Sequence, residues 1–274
     1  MHIYMQKSLV ALSFSVFLLG AGSADATTID LTTAGTSGTL NGALFEQGGT
    51  LSGTGRFPAF VQIASNADVT DAYNTRVNDV NDNGSSNTFN HEITLATVPV
   101  QTIGLVDYYS FFLDINEEGN DSDKYLSLDN VMIFTSTVAN QSSEPLPVGT
   151  LRYNMDAGSD NTVLLNFDLE PGSGRADMEL LVPTSLFTGA LGSNFVYLYS
   201  IFGGVGTNPG AGFPAGNYAA SDGFEEWARG TGTFEEPPPP PPPDIDSVPE
   251  PASLLLVGSG LAAAAAARRR RRQS

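Results

Sequence analysis

Short runs of alternating apolar and polar residues fill the middle of the chain, and clusters of Gly, Asn, Asp and Ser separate them. Alternation puts successive side chains on opposite faces of a strand, and such clusters favour turns. No run keeps a helical period of 3.6 residues with caps at its ends. The pattern predicts strands near Ala59–Ala64, Glu92–Thr97, Gln101–Val106, Tyr108–Ile115, Leu126–Thr137, Gly149–Asn154, Thr162–Asp168, Met178–Val182, Phe195–Phe202 and Gly223–Arg229.

The regular spacing of these short strands indicates an all-β fold, an antiparallel β-sandwich or jelly roll. The segment before them, Thr27–Gly55, is rich in Gly and Thr and has only scattered leucines. We expect it to form either an edge strand pair or a loose lead-in.

A different pattern, a continuous apolar block, marks the amino terminus. Met1–Lys7 ends in a basic residue, Leu9–Gly22 is apolar, and the small residues Ala24 and Ala26 follow. This order is typical of a secretory signal peptide over residues 1–26, cut after Ala26 by signal peptidase. A retained anchor is the alternative, but the apolar run is shorter than the ~20 residues of a comfortable membrane span.

A second apolar block lies at the carboxyl terminus. The motif Val248-Pro249-Glu250-Pro251 precedes an apolar run, Ala252–Ala267, and a basic stop made of Arg268, Arg269, Arg270, Arg271 and Arg272. As a helix the run would rise about 24 Å, slightly less than the roughly 30 Å hydrocarbon core of a bilayer. We therefore predict a marginal transmembrane helix over residues 252–267. Clustered arginines stay cytoplasmic, so the rest of the chain would lie across the inner membrane.

This terminal order resembles the PEP-CTERM sorting signal of Gram-negative bacteria, in all three of its parts. The resemblance implies that exosortase, a membrane protease, reads residues 248–251 and cuts the tail. It implies export by way of an inner-membrane intermediate to the cell surface or extracellular matrix, often in organisms that make extracellular polysaccharide. An ordinary C-terminal anchor is the alternative.

The globular part is also similar to ectodomains found in PEP-CTERM proteins, a group with no activity to transfer. The stretches that carry this similarity are Phe112–Asn116, Leu126–Asp129, Val182–Phe187, Val196–Tyr199 and Asp222–Trp227.

Seven consecutive prolines, Pro237–Pro243, follow Glu235 and Glu236. Proline fixes φ and has no amide donor, so the run favours a polyproline II rod of about 22 Å. The chain thus divides into a signal peptide (1–26), an ectodomain (27–234), a Pro-rich linker (235–247) and a sorting signal (248–274). A ligand for a polyproline-recognition domain is the alternative use of the prolines.

The chain carries a formal charge of −18 and has no cysteine. Half of its 12 basic residues are Lys7 and the terminal arginines, so the ectodomain is more acidic still. This balance excludes nucleic acid as a partner and favours attraction of divalent cations. Without cysteine there is neither disulfide stabilisation nor thiol catalysis.

Two hexapeptides follow the opening of a calcium-binding loop, in which oxygens at alternate positions converge on one cation and Gly allows a sharp turn. The candidate ligands are Asp79, Asn81 and Asn83 in the first and Asp114, Asn116 and Glu118 in the second. The acid expected at loop position 12 is missing, since Asn90 and Tyr125 stand there. Calcium is thus one candidate ligand, and hairpin loops with solvated carboxylates are the other interpretation.

Residues for catalysis are few. His91 is the only histidine after the signal peptide, and a surface histidine is the ordinary outcome at such a junction. Trp227 is the only tryptophan, and alternation places Tyr197 and Tyr199 on one face of a strand. Core packing is the more frequent use of such aromatics than a sugar-binding platform. We predict no catalytic residues.

These features favour a non-enzymatic, exported structural or interaction component linked to exopolysaccharide or biofilm. The first alternative is a calcium-dependent adhesion or glycan-binding module. The second is a secreted glycan hydrolase, because a chain with this many acids can place two carboxylates close together.

Overall fold

The computed structural model describes residues 25–49, 57–64, 68–77, 80, 82, 84, 87–172 and 174–230. These residues are 42% strand and contain no α-helix. All of them lie in one compact unit, Met1–Phe234; the second unit, Glu235–Ser274, falls outside the described residues.

Fourteen strands occur in the described part of the chain. They are β1 Thr28–Asp30, β2 Ser37–Leu40, β3 Ala43–Gln47, β4 Ala59–Ala64, β5 Thr70–Tyr73, β6 Ile93–Thr94, β7 Val100–Ile103, β8 Val106–Asp114, β9 Tyr125–Ser136, β10 Thr150–Asn154, β11 Thr162–Asn166, β12 Met178–Pro183, β13 Phe195–Phe202 and β14 Phe224–Arg229. Short 3₁₀ turns cover Leu95–Thr97, Phe167–Leu169 and Thr184–Phe187.

The strands form two seven-stranded sheets. Sheet A has the order β1-β11-β9-β13-β5, with β10 on β9 and β6 on β13. Sheet B has the order β2-β3-β12-β8-β14-β4, with β7 on β8. Every pairing is antiparallel except that of β1 with β11, in which Thr28 lies opposite Thr162. This arrangement confirms the all-β class and is consistent with a β-sandwich.

One hydrophobic core contains side chains from both sheets. Leu113 and Trp227 of sheet B and Val131 and Leu198 of sheet A belong to it, and all four are fully buried. The indole Nε1 of Trp227 donates a hydrogen bond to Ser200 Oγ on β13, at 3.0 Å. A buried polar bond therefore joins the two sheets through an otherwise apolar layer.

The predicted strands match the observed ones best where they are long and apolar. The predicted bounds of β4 and β13 are those observed, and the edge strand pair expected before residue 55 is β2 with β3. The prediction of one strand over Gln101–Val106 was wrong. Gly104, at φ 63°, turns the chain after Ile103, the last residue of β7, and Val106 begins β8.

Two further predicted strands end early, and two strands, β1 and β5, were not predicted. β6 stops at Thr94 and continues as a 3₁₀ turn. β11 stops at Asn166, whose side chain accepts a hydrogen bond from the backbone N–H of Asp168 at 3.0 Å and so caps the next turn. β5 has no apolar alternation long enough to be recognised.

Candidate functional site

Three acidic side chains form a row across sheet B. Glu226 on β14 lies opposite Asp114 on β8. On the other side of β8, Met178 lies opposite Leu113, and the N–H of Asp177 donates to the carbonyl of Leu113 at 2.8 Å. Asp177 immediately precedes β12 and also accepts a hydrogen bond from the N–H of Ile115 on its Oδ2 at 2.8 Å, so it is bonded to both chain neighbours of Asp114. We call Glu226, Asp114 and Asp177 the carboxylate row.

The row faces away from the main core but not toward solvent. Leu113 packs in the main core, so its neighbours Phe112 and Asp114 point to the opposite face. There Phe112 forms a small second cluster with Phe57 and Ala176, which belong to other segments of the chain. Asp114 is consequently 0% exposed, Asp177 3% and Glu226 8%.

Each carboxylate of the row accepts one hydrogen bond from a described residue. The N–H of Gly174 donates to Asp114 Oδ2 at 2.6 Å, and the N–H of Ile115 donates to Asp177 Oδ2 at 2.8 Å. Gln62 Nε2 donates to Glu226 Oε1 at 2.8 Å. The remaining oxygens Asp114 Oδ1 and Asp177 Oδ1 are buried and accept no hydrogen bond. No ion pair within the described ranges includes any of the three acids.

Burial disfavours the charged forms of these acids. It raises the pKa of Asp114 to about 7, and the nearby charge of Glu226 adds to the effect. Burial raises the pKa of Asp177 well above its usual range, and the charge of Asp114 contributes there too. The row is thus a place where the protein holds negative charge only at a cost unless a proton or cation is present.

Glu117 and Asp129, elsewhere in the fold, are two further acids whose pKa burial raises. Glu117 Oε2 accepts hydrogen bonds from the N–H and the hydroxyl of Ser221, its Oε1 has no partner, and burial raises its pKa to about 8. Asp129 Oδ2 accepts from Gly204 N–H at 2.6 Å and from Ser127 Oγ, and burial raises its pKa to about 6. Glu117 thus joins the loop after β8 to the loop before β14, and Asp129 joins β9 to the loop after β13.

The structure separates the three residues of the second predicted calcium loop. Asp114 is the last residue of β8 and points under the covering segments, whereas Glu118 is exposed and accepts a hydrogen bond from Asn120. Asn116 is bonded to β14, through its side-chain amide to the carbonyl of Phe224. Of the three, only Asp114 joins the carboxylate row.

Within the described ranges no group of three or more His, Asp or Glu side chains has an arrangement that would hold a metal ion. Asp79, Asn81 and Asn83 of the first predicted loop lie outside the described residues. So do Ala24, the sorting motif Val248–Pro251, the predicted helix 252–267 and the basic stop Arg268–Arg272. Ala26 is exposed, two positions before β1.

His91 lies half-buried between two segments of the chain. The backbone N–H of His91 donates to the carbonyl of Phe60 at 3.1 Å, and the buried imidazole Nδ1 has no hydrogen-bond partner. Burial lowers the pKa of His91, and the charges of Arg76 and Arg229 lower it further. The imidazole is therefore neutral at neutral pH.

The aromatic residues considered for a sugar platform pack inside the protein. Trp227 is fully buried. Tyr197 and Tyr199 share one face, as alternation predicts, in a cluster with Tyr73. The hydroxyl of Tyr197 donates to the carbonyl of Val138 at 2.8 Å, and that of Tyr199 donates to Asp71 Oδ2 at 2.7 Å. The prediction of core packing is confirmed for these three residues.

Sequence patterning alone did not identify Asp177 and Glu226 as partners of Asp114. Asp177 lies just before β12, outside any strand, and Glu226 occupies the face of β14 opposite the core residue Trp227. One available signal was Phe112, an aromatic residue on the nominally polar face of β8 that also carries Asp114.

No helix within the described residues has the length and apolar character needed to cross a membrane. The fold thus defines an all-β protein of two sheets with a buried row of acids.

Residues 247–272 match the family model of the PEP-CTERM protein-sorting motif. The chain therefore carries a PEP-CTERM sorting signal, as its sequence indicated. This signal implies export, membrane-associated sorting in Gram-negative bacteria and processing by exosortase. The match covers the carboxyl-terminal tail and describes routing. No curated protein and no solved structure matches the chain.

Proposed function

We propose that this chain is a non-enzymatic structural or interaction component of the cell surface or extracellular matrix, associated with exopolysaccharide or biofilm. The observation that carries the proposal is the sorting motif at residues 247–272, which follows an all-β unit. Export places the unit outside the inner membrane and exosortase processes its tail; there the strong negative charge of the unit keeps it soluble and attracts divalent cations.

Placement of the acids supports a role without catalysis. A glycosidase needs two carboxylates that reach a sugar in an open cleft. In this chain Asp114 and Asp177, which backbone hydrogen bonds place side by side, are buried and essentially without exposure. The tyrosines and the tryptophan considered above contribute to packing instead of forming an exposed platform.

The routing part is tested by replacing Pro249, Glu250 and Pro251 with alanines in a host that contains exosortase. The matched control replaces Pro237, Pro238 and Pro239 in the linker, which removes three prolines without touching the motif. Fractionation and mass spectrometry of both termini report location and processing. We expect the motif variant to accumulate with its tail in the inner membrane and the linker variant to be processed normally. Equal delivery and processing of both variants would contradict the proposal.

The structural role is tested separately in a strain that lacks the chain. We expect weaker retention of exopolysaccharide in the biofilm, restored by the natural chain and not by the motif variant. Purified protein should release no product from a broad glycan panel. Release that disappears on replacement of one carboxylate would support the hydrolase alternative and reject this proposal.

A further inference from the structure

The carboxylate row contains two oxygens for which the fold provides no partner. Asp114 Oδ1 and Asp177 Oδ1 are both buried, and neither accepts a hydrogen bond. Each of these carboxylates uses its other oxygen for one backbone N–H. A buried carboxylate oxygen without a partner is costly, and two adjacent ones add mutual repulsion.

Backbone hydrogen bonds hold these two carboxylates next to each other. The N–H of Asp177 donates to the carbonyl of Leu113 at 2.8 Å, and Asp177 Oδ2 accepts from the N–H of Ile115 at 2.8 Å, so Asp177 is bonded to both chain neighbours of Asp114. Two neighbouring carboxylates can contact one ion at the 2.3–2.6 Å distances typical of calcium. A single cation between them would satisfy both free oxygens and cancel their repulsion.

We propose that Asp114 and Asp177 bind one calcium ion, between the end of β8 and the residue that precedes β12. This site differs from the loop predicted from the sequence, because Asn116 and Glu118 are directed elsewhere and Asp177 comes from a distant segment. Glu226, with one oxygen held by Gln62, adds negative charge beside the pair. Because no three acids in the described ranges share an ion, backbone or water oxygens complete the coordination.

The chemistry of the donor set selects the cation. Two carboxylates are hard oxygen ligands, and no cysteine exists anywhere in the chain, so a soft metal has no preferred ligand. Magnesium requires a nearly ideal octahedron and keeps several waters, whereas calcium accepts irregular sets of six to eight oxygens. A covered position between strands therefore suits calcium better. Export, implied by the sorting motif, exposes the chain to extracellular calcium.

The test uses the full chain, purified in mild detergent with 150 mM NaCl, and measures thermal unfolding in EDTA, in 10 mM MgCl₂ and in 10 mM CaCl₂. With the affinity of extracellular modules, about 10⁻⁴–10⁻³ M, calcium should raise Tm by about 3–8 °C. Magnesium should raise Tm by less. Calorimetric titration should find one calcium bound per chain.

Two variants locate the ion. Asp177→Asn and Asp114→Asn should each abolish the calcium-dependent rise in Tm and the titrated site. The matched control is Glu179→Gln, an acid two residues further along β12 that already accepts hydrogen bonds from Ser110 and Gln101. It should keep both responses.

The proposal is wrong if calcium and magnesium act equally on the natural chain, or if Asp177→Asn keeps the full response to calcium. It is also wrong if both asparagine variants are more stable than the natural chain and calcium has no effect on any of them. In that last case protons, and not a cation, neutralise the row. None of these outcomes changes the delivery and processing assay of the sorting motif, so the two proposals fail independently.

Discussion

The hydrogen bond between Trp227 Nε1 and Ser200 Oγ allows a direct measurement of how strongly the two sheets are joined. Both residues are 0% exposed and the bond is 3.0 Å long. Ser200→Ala leaves the indole N–H buried without this acceptor, which costs about 1–3 kcal/mol in the free energy of unfolding. Trp227→Phe removes the donor together with part of the ring, so it costs more through lost packing.

The double variant isolates the bond from the packing. Once Trp227 is Phe, Ser200→Ala no longer strands a donor and should cost about 1 kcal/mol less than it does alone. Urea unfolding of the four proteins, followed by far-UV circular dichroism, gives this coupling energy. The tryptophan itself cannot be the probe because it is the only one in the chain.

A control pair establishes the baseline for this cycle. Thr102→Ala removes the hydrogen bond from Thr102 to Asp107 in the exposed β7–β8 hairpin. Asp107 lies six residues along β8, or about 20 Å, from Leu113, the residue opposite Trp227. It should combine additively with Trp227→Phe. A coupling between Trp227 and Ser200 no larger than the ~0.3–0.5 kcal/mol scatter of independent sites would refute the reasoning.

Two further outcomes are expected from stability measurements. Gly203 and Gly42 have nearly equal φ angles, 88° and 87°, but a Cβ on Gly203 would lie 2.0 Å from the carbonyl oxygen of Asp68, whereas Gly42 has nothing within 4 Å. Both alanine variants incur backbone strain of about 1–2 kcal/mol, and urea unfolding should show Gly203→Ala to be destabilised by at least about 2 kcal/mol more; equal losses would contradict the predicted clash. In calcium-free buffer, the pKa of Asp114 is about 7 in the folded chain and 3.8 when unfolded, so the folded state binds the extra proton. Its contribution to stability is complete below pH 4 and is lost as pH rises through about 7, at up to about 1.4 kcal/mol per pH unit, and Asp114→Asn should flatten that part of the profile.

Strand positions followed from the sequence wherever a long alternating run had no competing turn. Phe195–Phe202 is an example: Val196 and Leu198 entered the main core and Tyr197 and Tyr199 the other face, as period-2 alternation requires. The error at Gln101–Val106 arose because a two-residue turn interrupts the run without a cluster of turn residues around it. Local pattern gives the strand, and one glycine decides where it ends.

The carboxylate row could not be predicted from the sequence, for a different reason. Alternation correctly puts Asp114 and Glu226 on the faces of β8 and β14 opposite the core, but it predicts that this side meets water, and it does not place Asp177, which precedes β12. The burial of this side depends on Phe57 and Ala176, which come from segments far from β8 in the sequence. Which strands become neighbours, and what covers them, is set by tertiary packing, and no local period records it.

The parallel pairing of β1 with β11 has a consequence for how the protein leaves the cell. Thr28 of β1 pairs with Thr162 of β11, so sheet A cannot be completed until more than half of the chain has been synthesised. Contacts this distant along the chain delay folding, because the loop must be closed before any of them is formed. A chain that is exported from its amino terminus can therefore complete this edge of sheet A only after Thr162 has crossed the membrane.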